Sequence, residues 1–596
     1  KPWIDAVTFP CPTCGAEARR VTEVIDAWFD SGSMPFAQWG YPHAPGSKEL
    51  FEGAFPADFI SEAIDQTRGW FYSLLMISTL LFDAETQRRL GLEQVRDFPH
   101  PYKTCVVLGH VCDKEGKKES KSKGNYTPPE VILERVRMEF SAANVDVAKQ
   151  KSAGDSVAFI AREDFEGLDF AGESAKVHLY REDREGDAVA MELRPAKGKF
   201  PRRIVALTDA DIARLGLTPG ANPLEVKPVD VPRLPLGERV FIEDKATPAP
   251  GADAFRWFFY ASSPPWTNTR HSLTNVRAEQ KELAIKLRNV FSFFTIYAGI
   301  DGFSPARGNP SATETTPAAL ATSLGYRPAK DRSLLDRWML SELSLATRDV
   351  TAWLDDYHLY EAAQRLVDLV DALSNWYLRR SRARFWSSDK ARVEEGGALT
   401  ASQTDKLDAY FTLYEVLVAL AKLLAPFTPF FAEEMYQNLV RGPWPETQPE
   451  SVHLCAYPAP QDSAIDEALA RDMRAVRELV SLGLQVRTGN KLKVRQPLAK
   501  ADVVVSDAAV RAAIGAFGSL IAEELNVHEV AILEPGEEGR EVRYTLKPNF
   551  RALGPKLGKK VQIAKQVLAK ADAAILRAEL ASAGKVTIDI DGDAVD

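Results

Sequence analysis

The residues Tyr360, Ala363, Leu366, Val367, Val370, Leu373 and Tyr377 fall on one stripe at 3.6-residue spacing. Such a pattern admits an amphipathic helix and excludes a strand, whose faces alternate every second residue. The stripe lies in a stretch, about 331–442, that reads as helical throughout, so this part of the chain must bury helix against helix. Elsewhere the period changes. Residues 21–136 alternate turn-rich segments, apolar helical stretches and the β-like run Cys105-Val106-Val107-Leu108, a pattern that suits an α/β layer. Between about 137 and 250, short β-prone runs such as Ser156–Ile160 and Lys176–Tyr180 lie between charged turns, and Pro-rich stretches close the segment. It reads as a small β-rich inserted module without legible chemistry. A Pro/Ser/Thr/Gly-rich linker is expected at 304–330. From about 461 helices mix with β-prone runs such as Ala501–Val505.

Bulk properties narrow the function classes. A chain of 596 residues is expected to hold several domains. A net charge of −9 argues against a generic nucleic-acid coating protein, so nucleic-acid contact would come from local basic patches. No run of eighteen apolar residues is present, and no membrane span is expected. Five scattered cysteines fit a reducing compartment, and a cytoplasmic monomer is the expectation. The opening Lys1-Pro2-Trp3-Ile4 is neither an initiator Met nor a signal peptide, and predicts a start in mid-protein. The alternating end, Val586–Gly592, reads as a strand approaching a turn.

Three segments of the first 136 residues carry chemistry. In Asp26–Pro35, the run Ser31-Gly32-Ser33 after Trp28 and Phe29 predicts a tight turn at an aromatic strand end, where backbone approaches a ligand; a plain structural turn is the alternative. In Phe59–Trp70, Ser61 can cap a helix that places Glu62, Asp65, Gln66, Gly69 and Ser73 on one polar face, with Ile64, Phe71, Leu74 and Leu75 in the core. That face suits a ribose or an ammonium group, though the segment taken by itself favours a merely solvated face. Gly109-His110-Val111 precede Lys117–Asn125, where Lys and Ser fill every position from 117 to 123 except Glu119. Such a loop offers cations and hydroxyls to a departing polyphosphate, whereas most charge runs are merely solvated.

Taken together, in this order, the segments resemble a class I aminoacyl-tRNA synthetase of the isoleucine type. That family carries Trp-Phe-Asp-Ser-Gly-Ser, then Glu-Gly-x-Asp-Gln-x-Arg-Gly-Trp-Phe, then a Lys-Met-Ser-Lys-Ser loop with Gly-Asn. The resemblance resumes at Gly251–Trp257 and Ser262–Trp266. It implies that Glu62, Asp65 and Gln66 bind the aminoacyl-adenylate, that Trp28 and Trp70 wall the isoleucine pocket, and that Gly109, His110 and Val111 lie near adenine. It further implies that Lys118 and Lys121 stabilise the phosphates, with Ser120 and Ser122 supporting the loop. Glu119 stands where the family has Met, and Ala63 where it often has Gly.

The resemblance also implies ATP with Mg²⁺, isoleucine and tRNA(Ile) as partners. The architecture it implies is an α/β nucleotide-binding, partial Rossmann-type domain with a β-rich insert, an all-α anticodon-binding bundle and an α+β C-terminal domain. In these terms residues 1–20 end a zinc-ribbon or editing connection and 21–136 form the second half of the catalytic domain. Residues 137–250 are the insert, 251–303 a helical junction, 304–330 the linker, 331–460 the bundle and 461–596 the C-terminal domain. Editing and the His-x-Gly-His signature are expected before Lys1, and the chain alone is expected to be inactive. Cys11 and Cys14 make half of a Cys₄ zinc site, while Cys105, Cys112 and Cys455 read as core thiols. In Asn375–Trp386, aromatics interleave with arginines: Trp376, Arg379, Arg380, Arg382 and Arg384 are the candidates for tRNA contact. Asn490–Leu498 and Lys547–Arg551 look like further family segments. A valine- or leucine-type ligase, or a tRNA-binding fragment or paralogue without catalysis, are the alternatives.

Overall fold

The computed structural model describes residues 4–21, 23, 26–120, 125–127, 129–133, 136–144, 156–168, 170, 172–217, 239–245, 248–391, 397–533, 546, 549, 557–590 and 593–595. The chain divides into two units, Lys1–Ser463 and Ala464–Asp596.

The first unit begins with a hairpin, β1 (Thr8–Pro10) against β2 (Glu17–Arg19). A parallel pair follows, β3 (Ala57–Ala63) with β4 (Tyr102–Leu108), joined by the helix Trp70–Leu81. Phe71 and Leu74 of that helix are buried with Ile60 of β3, the inner face by which a crossover helix packs on its sheet. Ile64 and Leu75 do not join them: they are 49% and 40% exposed. The short strand β5 (Val111–Cys112) continues from β4 and pairs much later with β12 (Thr269–Arg270).

Between these lies a closed barrel of β6 (Arg137–Asn144), β7 (Val157–Ile160), β8 (Ala175–Tyr180), β9 (Val189–Pro195), β10 (Ile204–Leu207) and β11 (Arg239–Glu243). Its strand order is β10-β6-β11-β8-β9-β7, and closure removes the sheet edges. Phe140, Ala158, Leu179, Leu193, Val205 and Ile242 fill the interior.

The rest of the first unit is helical. Leu334–Asp355 packs against Leu359–Asp371, which runs through a π-helical turn, Ala372–Leu378, into Arg379–Phe385. Ala401–Leu424 starts from a capping box in which Thr400 and Gln403 satisfy each other's backbone N–H. Tyr360–Tyr377 therefore does bury one stripe: Ala363, Leu366, Val370, Leu373 and Tyr377 are fully enclosed. Among the described residues one helix, Leu273–Asp301, is long and apolar enough to cross a membrane by length and composition. Lys286 within it bonds Asp371 at 3.1 Å and Arg288 bonds Glu434 at 2.9 Å, ion pairs that belong to a helix packed in a bundle.

In the second unit the helix Glu467–Gly489 precedes a parallel pair, β13 (Leu498–Val504) and β14 (Val527–Leu533), connected through the helices Ala508–Ala516 and Gly518–Leu525. The end is a hairpin of β15 (Ile588–Ile590) and β16 (Asp593–Val595).

Candidate active site

Parallel pairing brings the carboxyl ends of β3 and β4 to one edge, with Glu62 opposite Val107 and Ala63 opposite Leu108. Ligands of α/β folds gather at such an edge. Three peptides meet there.

The first follows β3. A helix from Ser61 is not what forms: Ser61 and Glu62 are strand residues, because β4 supplies backbone partners to them. The chain then makes a 3-10 turn at Ile64–Arg68, and the helix proper starts at Trp70. The Trp70 N–H donates to the Gln66 side-chain oxygen at 3.0 Å, which satisfies one of the orphan donors of the first turn. A Cβ on Gly69 would stand 2.5 Å from that oxygen and 3.0 Å from the Trp28 ring. Glycine is what lets Trp28, Gln66 and the helix start converge. Asp65 projects from the same turn, and Glu62 accepts the Ala63 N–H at 3.2 Å.

The second peptide is a short helix, Ala27–Gly32, rather than the tight turn expected. Asp26 caps it by accepting the Trp28 N–H at 2.8 Å, and such a cap outweighs the turn preference of the following Ser-Gly-Ser. Gly32 lies against Trp70–Leu81, where a Cβ would be 2.9 Å from the Ser73 carbonyl oxygen. The Trp70 indole N–H donates to the Ser31 carbonyl at 3.1 Å. Trp28 is 46% exposed at this edge.

The third follows β4. The Gly109 N–H donates to the Pro265 carbonyl at 2.8 Å, and a Cβ there would come within 2.0 Å of the Thr267 oxygen. The His110 N–H donates to Asn268 Oδ1 at 2.9 Å. Val111 continues the β5–β12 pairing, and Lys118 bridges back to Cys112. Lys118 Nζ stands 3.8 Å from Asp65 Oδ2, both side chains about half exposed. An exposed pair of this kind adds little stability. It does put the start of the lysine–serine loop and the turn after β3 on one open face. Lys121 and Ser122 lie outside the described residues.

Asn125, which the sequence marked only as the end of the loop, and Asp113, which it did not mark, hold the loop's base. Asn125 donates to Asp113 Oδ2 at 2.8 Å and to the Lys118 carbonyl at 3.2 Å, and accepts the Ser120 N–H at 3.0 Å. Burial alone would raise the Asp113 carboxyl; hydrogen bonds from Asn125 and the Lys117 backbone hold it below the usual carboxylate range. Glu119 faces His271: its Oε1 lies 3.1 Å from His271 Nδ1, with side-chain exposures of 15% and 3%. Phe255, Phe258 and Phe259 surround that imidazole, with ring centroids at 5.4, 5.8 and 6.3 Å.

At β1–β2, Cys11 and Cys14 flank the hairpin turn, the Gly15 N–H donating to the Cys11 carbonyl at 2.9 Å. Hydrogen bonds from the Thr13 and Cys14 backbone lower the Cys11 thiol pKa. Two sulfurs are half of a tetrahedral zinc set, and among the described residues no group of three or more His, Cys, Asp or Glu side chains comes together to hold a metal.

The basic helix divides into exposed and enclosed side chains. Trp376 is only 5% exposed, so its ring cannot stack on a base. Arg384 is also withdrawn: it forms a bidentate pair with buried Asp336 at 2.9 and 2.7 Å and bonds Asp405 at 2.9 Å. Both are structural residues: Trp376 is packed among the helices and Arg384 is held by Asp336 and Asp405. Arg379 and Arg382 are exposed, and Arg380 is half-buried. The Arg379 and Arg380 guanidinium carbons stand 5.9 Å from the Trp376 ring centre. Trp386, at 57% exposure, is the aromatic side chain of this segment that can receive a base. Its position at the helix end, past the buried stripe, was the available sequence signal. In the further segment Lys547–Arg551, only Asn549 is among the described residues.

Comparison with known proteins adds a second line of observation. Residues 12–270 match the family described as tRNA synthetases class I (I, L, M and V), and residues 336–504 match the anticodon-binding domain of tRNA ligase. An isoleucine–tRNA ligase from Clostridium novyi (strain NT) is 34% identical over 592 residues, covering 99% of this chain and 41% of that protein. One from Streptomyces avermitilis is 34% identical over 598 residues, covering 100% of this chain and 41% of that protein. The chain thus spans about 41% of the length of these curated relatives. A solved ternary complex, Agrobacterium radiobacter K84 agnB2 LeuRS-tRNA-LeuAMS, aligns with 78% of this chain and 36% of its own at 16% identity and a TM-score of 0.41, too distant to carry an argument.

Proposed function

We propose that the chain supplies part of the active site and the tRNA-binding body of an isoleucine–tRNA ligase, a reading supported by the matches of residues 12–270 to the class I tRNA synthetases (I, L, M and V) and of residues 336–504 to the anticodon-binding domain of tRNA ligase. The observation that carries this reading is the approach of Lys118 to Asp65, 3.8 Å apart, beside Glu62, Gln66 and Trp28. Isoleucine identity rests on the relatives, which are isoleucine–tRNA ligases at about one-third identity along the whole chain.

In the first step a carboxylate oxygen of isoleucine attacks the α-phosphorus of ATP, and the bond to the leaving pyrophosphate breaks. In the second, a terminal ribose hydroxyl of tRNA attacks the acyl carbon, its proton leaves, and AMP departs. Mg²⁺ arriving with the triphosphate would screen its charge. Little covalent work falls on the protein, so positioning and charge stabilisation carry the catalysis. Asp65 and Gln66 hold the adenylate's polar groups, Glu62 its ammonium, and Trp28 with Trp70 bound the side-chain pocket. Gly109, His110 and Val111 form the adenine floor. Lys118, together with Lys121, meets the negative charge that grows on the phosphates, and Ser120 and Ser122 shape the loop. Exposed Arg379 and Arg382, with Trp386, contact tRNA.

The parallel pair β3–β4 leaves Phe59 at 51% and Tyr72 of the adjoining helix at 58% exposure. Parallel sheets are ordinarily covered on both faces, which supports reading these strands as half of a larger α/β layer. The reaction is therefore tested on a protein that carries this chain together with the rest of the length its relatives span. Pyrophosphate exchange should depend on isoleucine and respond far less to valine or leucine. Lys118→Ala should lower kcat by about a hundredfold and change the isoleucine KM little. Exchange driven only by valine or leucine would replace the proposal by the corresponding ligase; no exchange with any of the three would leave a tRNA-binding module. Binding of tRNA should weaken steeply between low and moderate salt, as phosphate contacts require.

A further inference from the structure

The barrel leaves and rejoins the chain at nearly one point. The Gly251 N–H donates to the Ile132 carbonyl at 2.9 Å, and the Asp244 N–H to the Val136 carbonyl at 3.0 Å. Those two bonds already close the insert, so nothing about the connection requires further contact with the rest of the unit. Further contact nevertheless exists, and it falls on both flanks of the lysine–serine loop.

On the upstream flank Lys114, in the turn after β5, bonds Glu166 of the barrel helix Arg162–Gly167. On the downstream flank Arg203, in the turn before β10, donates to the Tyr126 carbonyl at 3.0 Å, and its guanidinium carbon lies 5.5 Å from the Tyr126 ring centre. Arg203 is held for this task. Its φ of 60° is left-handed, a conformation costly for a residue with a Cβ. Asp164, fully buried, accepts the Arg203 N–H at 2.6 Å and Arg202 Nε at 2.9 Å. Asp164 and Glu166 stand on the same short helix, so one rigid element organises both contacts.

We propose that the inserted barrel is a clamp that positions the base of the lysine–serine loop, and with it Lys118, through Lys114–Glu166 before it and Arg203–Tyr126 after it. The proposal rests on the reading of Lys118 as a phosphate-stabilising residue and deepens it. Between the two anchors, Asn125 and Asp113 tie the loop's ends together and Lys118 leaves the base toward Asp65. Loosening either anchor widens the range of positions open to Lys118, and a misplacement of about 1 Å is costly to a charge-stabilised transition state.

The test uses Glu166→Gln and Arg203→Lys, which change the anchors while keeping size and, for Arg203, charge, and a charge exchange, Lys114→Glu with Glu166→Lys. On the chain itself, tryptic cleavage after Lys117 and Lys118 should rise roughly fivefold or more in the two single variants and return toward the unaltered rate in the exchanged pair. In the protein of full relative length, the single variants should lose roughly fivefold or more in kcat for pyrophosphate exchange, with the isoleucine KM retained. Unchanged kcat beside a normally active parent overturns the clamp, whether or not cleavage rises, and so does unchanged cleavage. A parent without isoleucine-dependent exchange instead defeats the ligase reading on which the clamp rests.

Discussion

Glu119 shows how a single side chain can depart from a family pattern without spoiling the site. A carboxylate beside lysines proposed to meet phosphate charge would lower phosphate affinity if it faced them. Here it is spent on His271, under three phenylalanines, while its backbone N–H donates to the Val111 carbonyl at 2.9 Å. The pair joins the loop base to the end of β12. Removing one partner strands a buried polar group, so His271→Ala should destabilise the first unit by about 1–3 kcal/mol. The double substitution Glu119→Met with His271→Phe replaces both polar partners by apolar ones and should recover most of that loss. Thermal unfolding of the unaltered protein, His271→Ala and the double variant checks this, and a double variant less stable than His271→Ala would contradict it.

At the scale of elements, the basic helix Arg379–Phe385 presents two faces that a run of arginines does not separate by itself. Arg384 belongs to the core of the bundle: burial raises the Asp336 carboxyl, yet the Arg384, Ser333 and Tyr377 hydrogen bonds outweigh this and keep it below the usual range. A depressed pKa in the folded state stabilises above the unfolded value, about 3.9, and that contribution is lost as pH falls through the folded value. Arg384→Ala should therefore cost about 3–5 kcal/mol at neutral pH and soften the acid-unfolding transition. Arg379→Ala and Arg382→Ala, at exposed positions, should leave the melting temperature nearly unchanged and reduce the salt dependence of tRNA binding. Measuring stability and tRNA affinity on the same three proteins separates the roles. An Arg384→Ala protein of normal stability would show the ion pair to be dispensable.

Across the whole molecule, long-range charge pairs tie the segment before the helix Leu334–Asp355 to the helix Ala401–Leu424. Arg327 bonds Asp408 at 2.9 Å and Arg332 bonds Glu415 at 2.7 Å. Burial pushes Asp408 up to about 6, against the pull of Arg327 and Arg332. Its Oδ1 has no hydrogen-bond partner among the described residues. A raised carboxyl pKa favours the protonated form in the fold, so its stabilisation is full below about 4 and is lost as pH rises through about 6. Asp408→Asn should flatten the fall in melting temperature between about pH 4 and 6, measured by thermal denaturation in matched salt. An unaltered pH profile would remove Asp408 from that window.

Much of this organisation is written in local spacing. The 3.6-residue stripe of Tyr360–Tyr377 produces a buried helix face because its geometry involves only neighbours along the chain. The order of the Trp28, Glu62 and Lys118 segments marked a synthetase, and the β-prone runs of 156–160 and 176–180 marked a β-rich insert. What pairs across distance was not legible. Ser61 and Glu62 became strand because β4, more than forty residues later, supplies their hydrogen-bond partners. Arg384 and Trp376 were withdrawn from the surface by Asp336 and by the packing of neighbouring helices, and Glu119 found His271 beyond the entire barrel. Sequence determines which groups a segment offers and at what period. Tertiary structure decides which of those groups remain available, because a charge or a backbone donor takes whatever partner folding brings within about 3 Å.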